Sequence, residues 1–178
     1  YGLHSQLLIS TKHSTDLYHY NIASRTYELS IPNIQLIDSP SKSYCINQGY
    51  YYLWENNGAI QKYVEHQKRK HMSLRFVGSM VADVHRAIMN GGNFLYPSNN
   101  KNKNGRLRLL YEVYPMSFIF ENIGGVAVND DNDPILDTPF PYTNLHQRSP
   151  ILLFNQSDYQ EYIDLQEQPL RADPNLEC

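Results

Sequence analysis

Apolar residues fall in short groups whose spacing changes along the chain, and each change marks an element. Leu7 to Ile9 form a brief apolar run. Leu17 to Ile22 and Thr26 to Ile31 flank the connection Asn21-Ile22-Ala23-Ser24, the pattern of an antiparallel hairpin. Pro32-Asn33 and Ser39-Pro40-Ser41 then punctuate the sequence and place a boundary near residue 38. Beyond it the period lengthens. Asn57 can cap a helix that carries Ile60, Tyr63 and Val64 on one face, and Lys68-Arg69-Lys70-His71 suits the negative end of its dipole. A second helix is predicted from Met80 to Asn90, with Ser79 as its cap, Val81, Val84 and Ile88 on one face, and Gly91-Gly92 as its stop.

Asn93 to Tyr96 reads as a strand ended by Pro97, Ser98 to Gly105 as a polar loop, and Arg106 to Tyr111 as a strand running inward. Pro115 fits the first position of a third helix bearing Met116, Ile119, Phe120 and Ile123, which Gly124-Gly125 ends. Val126 to Val128 and Ile151 to Phe154 are short strands. Ser157 with Gln160 forms a capping box for a last helix through Leu165, and the chain frays from Pro169.

Composition narrows the function classes. With 41% hydrophobic residues in 178, the chain can bury one good core. A net charge of -3 without any long charged block excludes counterion-driven binding to nucleic acid or to an anionic membrane. Cys45 and Cys178 offer no disulfide framework and no paired-cysteine zinc site, so a cytoplasmic location is expected. No apolar run approaches the roughly 20 residues of a membrane span, and no signal peptide is visible. Tyr1 is not a methionine and the chain opens as if already entering a strand, so a piece of a longer protein is expected.

Local chemistry is sparse. Gly78-Ser79 opens a helix, either as an ordinary cap, the commoner case, or as a set of free N–H donors for an oxygen-rich ligand. Glu112 lies between an inward strand and a helix start, where it can either complement the helix dipole or offer an oxygen to a hard cation. Single carboxylates do not hold magnesium. The seven histidines lack zinc spacing, and no nucleophile elbow is present.

The segment Arg75 to Arg86, reading Arg-Phe-Val-Gly-Ser-Met-Val-Ala-Asp-Val-His-Arg, resembles the signature of class I fructose-1,6-bisphosphatases. In the same order follow Gly91 to Pro97, Gly105 to Glu112, Pro115-Met116, Gly124-Gly125 and His146-Gln147-Arg148. The resemblance implies an α/β layered sandwich of mixed sheet and helices. Residues 1–38 would be the tail of an N-terminal metal and allosteric domain, and 39–178 a C-terminal domain that grips fructose 1,6-bisphosphate. It implies hydrolysis of the 1-phosphate with magnesium, a place in gluconeogenesis, and a homotetramer.

Residue by residue, Asn47, Tyr50 and Tyr96 match contacts to the 6-phosphate, and Arg75 an arginine reaching it from a neighbouring subunit. Gly78, Ser79 and Met80 match the segment lining the sugar, Arg106 stands for a substrate-binding lysine, and Glu112 matches one metal-binding carboxylate. Phe76 replaces a tyrosine of the phosphate set. The family's Asp-Gly-Ser metal loop and AMP helix have no counterpart, and Asp133-Pro134-Ile135-Leu136-Asp137 is only an echo of that loop. Alone, this chain is not expected to hydrolyse substrate. The alternatives are a related sugar bisphosphatase or inositol phosphatase, and a non-catalytic sugar-phosphate-binding module.

Overall fold

Ile151 to Phe154 is an unbroken apolar run, and a strand of that kind needs cover on both faces. The computed structural model, which describes residues 4–36, 42–54, 57–140 and 144–167, supplies it. This strand, β10 (Ile151–Phe154), is central in a three-stranded antiparallel sheet, between β6 (Phe94–Tyr96) and β8 (Val126–Val128). Ile46 adds a parallel bridge to Leu95 beside β6.

Alternation then divides the core in two. Ile151 and Leu153 face a cluster with Val84, Ala87 and Ile88 of α2 (Met80–Asn90) and Phe120 of α3 (Tyr114–Asn122). Leu152 and Phe154 face Ile60, Tyr63 and Val64 of α1 (Gly58–Arg69), Tyr162 of α4 (Gln156–Glu167), and Trp54. The result is the expected α/β layering, with helices on both sides of the sheet. Each fully buried side chain of this size contributes about 1.5–3 kcal/mol.

The hairpin is present as expected. β1 (Gln6–Ser10), β2 (Thr15–Asn21) and β3 (Thr26–Ile31) form an antiparallel sheet, in which Leu17 faces the core and β3 is exposed throughout. Two short pairs complete the fold: β4 (Ser43–Tyr44) runs parallel to β5 (Ser73–Leu74), and β7 (Leu107–Arg108) antiparallel to β9 (Arg148–Ser149). The boundary near residue 38 and the tail from Pro169 lie outside the described residues.

Four local expectations are corrected. Val81 is 64% exposed, because burial on α2 follows Asp83, Val84, Ala87 and Ile88 instead. The strand expected from Arg106 to Tyr111 ends at Arg108, and Leu109–Val113 coil into a π-helical turn leading into α3. Leu109 and Val113 are both buried while Tyr111 is 49% exposed, whereas a straight strand would put all three on one face. Asn155, not Ser157, caps α4: its Oδ1 accepts the Asp158 N–H at 2.7 Å. Ser79 occupies the cap position of α2 but makes no side-chain cap bond.

Candidate functional site

Asn47 ends the approach from β4, and its side chain accepts the Gly49 N–H at 3.1 Å, which starts the 3-10 turn Gln48–Leu53. That turn carries Tyr50. From β6 comes Tyr96, next to Pro97, and from the start of β7 comes Arg106. The three meet: an Arg106 guanidinium nitrogen donates to the Tyr50 hydroxyl, and the guanidinium carbon lies 5.7 Å from the Tyr50 ring centre. Tyr96 is also in contact with Arg106; burial pushes its phenol above the ordinary value, partly offset by the guanidinium. Ile46, Asn47, Tyr50, Trp54, Leu95, Tyr96 and Pro97 line the small pocket beneath. The sequence therefore converges, from positions spread over 60 residues, on one cation, two phenols and one amide around an apolar floor. Such a set suits an oxyanion attached to a carbon skeleton.

Arg106 is held in turn. The Arg148 guanidinium donates to the Arg106 carbonyl, and Gly105 before it has a φ of 75°, with Ser149 and Pro150 packed where a Cβ would sit.

Arg75 lies elsewhere, exposed after β5, with its N–H on the Tyr44 carbonyl at 2.9 Å. No contact among the described residues joins it to the Arg106 cluster. Phe76 and Met80 turn inward and pack against the core shared by α2 and α3. The Gly78 N–H, a free donor only on the less common of the two readings, is taken by Asp83 at 3.1 Å.

Glu112 sits in the π-helical turn. Its Oε2 accepts the Arg108 N–H at 2.7 Å and lies 3.5 Å from the Arg108 guanidinium. Magnesium takes about six oxygen ligands. Among the described residues no three His, Cys, Asp or Glu side chains gather to hold a metal, so Glu112 and its neighbours do not fit that ion by themselves.

The family model for the fructose-1,6-bisphosphatase C-terminal domain matches residues 37–167. The chain belongs to this family. It is 40% identical over 169 residues to a fructose-1,6-bisphosphatase of Schizosaccharomyces pombe, covering 92% of this chain and 47% of that protein. Against the cytosolic fructose-1,6-bisphosphatase of Spinacia oleracea it is 39% identical over 166 residues, 90% of this chain and 47% of that one. The crystal structure of Leishmania major fructose-1,6-bisphosphatase in apo form superposes with a TM-score of 0.86 at 32% identity, over 94% of this chain and 53% of that one. The chain spans about half the length of the curated relatives it matches.

For this fructose-1,6-bisphosphatase domain, periodicity missed three charged residues. Asp83 and Arg86 form an ion pair at 2.7 Å on α2 that holds the loop before the helix. The available signal was an acid early in a helix and an arginine three residues on. Arg108, bound to Glu112, was read only as part of a strand.

Proposed function

We propose that this chain is the substrate-gripping half of a fructose-1,6-bisphosphatase, binding fructose 1,6-bisphosphate through its 6-phosphate. The observation that carries the reading is the meeting of Arg106, Tyr50 and Tyr96 over the pocket that Asn47 borders. The guanidinium supplies charge and a fork of donors, and both hydroxyls can donate to phosphate oxygens once one binds. The apolar floor accepts the sugar's carbon face. Arg75, exposed at the surface, is suited to reach the phosphate bound by a second copy, in a homotetramer.

Hydrolysis of fructose 1,6-bisphosphate is supported by the names of the relatives, and with the 6-phosphate held by this half the 1-phosphate would be the one lost. Glu112 is the carboxylate this half would turn toward magnesium, whose other ligands would come from the portion of the relatives beyond the match. The ion would there stabilise charge on the transferring phosphoryl group. A cytoplasmic site of action is supported by the cytosolic relative, and no described helix is long and apolar enough to cross a membrane. A binding module without turnover is the second reading, favoured by the lack of a metal-holding cluster among the described residues.

Calorimetric titration with fructose 6-phosphate tests the grip. Arg106→Ala should weaken binding by about 1.5–3 kcal/mol, or about 10- to 150-fold, and Tyr50→Phe by less. Equal affinity in wild type and Arg106→Ala would remove the assignment.

A further inference from the structure

Val77 is 70% exposed and Gly78 is exposed beside it, yet both backbone N–H groups turn inward onto one carboxylate. Asp83, with its side chain fully buried, accepts from Val77 at 3.0 and 3.1 Å and from Gly78 at 3.1 Å. The same carboxylate receives Arg86 Nη1 at 2.7 Å, while Arg86 Nη2 donates to the Arg75 carbonyl at 2.9 Å. One ion pair on α2 thus fastens residues 75, 77 and 78 of the preceding loop, and the buried Cys45 side chain lies against the pair.

Burying the Asp83 carboxylate under a partly exposed arginine is a costly way to order a surface loop, which water can otherwise solvate. The helix itself does not require it. Val84, Ala87 and Ile88 anchor α2 to the sheet, and a Ser79 side-chain cap, the local alternative, goes unused. What the pair fixes is the backbone from which the Arg75 side chain leaves the protein.

We propose that Asp83 and Arg86 are positioning residues that hold the Arg75–Gly78 segment so that the Arg75 guanidinium is presented to phosphate in one place. The proposal rests on the reading of Arg75 as a phosphate contact. An arginine on a loose loop loses affinity by having to be ordered on binding, and the clamp meets that cost during folding.

Two measurements test it. Amide hydrogen exchange in wild type should show Val77 and Gly78 protected despite their exposure, and Asp83→Asn should speed both by about tenfold or more while the amides of Ala87 to Asn90 keep their rates. Titration of the assembled oligomer, its state verified by sedimentation, with fructose 6-phosphate should show Arg75→Ala, Asp83→Asn and Arg86→Lys each weakening binding by about tenfold, with no further loss when either clamp variant is combined with Arg75→Ala. Equal losses with and without Arg75 would mean a general structural defect and would overturn the positioning role. Unchanged exchange at Val77 and Gly78 would overturn it too. A neutral Arg75→Ala removes the phosphate reading of Arg75 and the proposal with it, a result recognisably different from additive losses. Should Asp83→Asn fail to fold, Arg86→Lys carries the test, since it keeps a charge beside Asp83 and loses only the bond to the Arg75 carbonyl.

Discussion

At the scale of single residues, Gly105 decides where Arg106 points. Its φ of 75° is one that a side chain disfavours, and a Cβ there would lie 2.2 Å from the Ser149 carbonyl carbon and 2.3 Å from the Pro150 nitrogen. Neither obstacle is a movable side chain. Gly105→Ala should therefore cost more than about 2 kcal/mol in urea unfolding and weaken fructose 6-phosphate binding as Arg106 shifts. An unchanged unfolding midpoint would show that β9 yields at little cost. Phe76 belongs to the same scale: the hydroxyl that the family's tyrosine carries is absent at a position whose ring packs inward against the core. Identity at this scale was legible only by resemblance, because Asn47, Tyr50, Tyr96 and Arg106 share no period and meet only once β6, the 3-10 turn and β7 are in place. Asp83 was not legible, since its role depends on a loop folding back over a helix start, which spacing along α2 does not reveal.

Between elements, α4 is tied to α1 by one carboxylate. Glu161 accepts from Gln67 at 2.8 Å and Lys70 at 2.6 Å, with His66 at 3.1 Å. Burial alone would raise its pKa, but these bonds outweigh burial and hold it below the ordinary value near about 4.3. A carboxyl depressed on folding adds stability above its unfolded pKa and loses it as pH falls through the folded one. Melting temperature should thus fall on acidification below about pH 5, and Glu161→Gln should flatten that part of the profile; an identical acid limb in both proteins would assign the loss to other groups. The elements themselves were legible where one period dominated: α1 and the hairpin follow their patterns closely, and α2 keeps its expected bounds while its buried face excludes Val81. Leu109 to Val113 were not, because a short, largely apolar run reads equally as strand or helix. Asn155 was overlooked as a cap because the capping box two residues later matched the same pattern.

Across the whole molecule, the chain carries the Arg106, Tyr50 and Tyr96 cluster proposed to grip phosphate and, among its described residues, no metal cluster. Purified alone, it should bind fructose 6-phosphate without releasing phosphate from fructose 1,6-bisphosphate, and millimolar magnesium should leave its melting temperature unchanged; clear magnesium-dependent turnover would refute this. The pairing of β7 with β9 has a consequence in time. Arg148 reaches the Arg106 carbonyl across 42 residues of chain, so the support under Arg106 closes only after α3 and β8 have been laid down between them. Closing so long a loop is entropically unfavourable until the intervening elements have packed and shortened the path. During refolding, fluorescence of the buried Trp54 should recover first and sugar-phosphate binding afterwards, as a separate and slower phase. Simultaneous recovery in stopped-flow measurements would mean that this far-reaching strand pair belongs to the folding nucleus, and that the ligand site is among the first parts of the domain to exist.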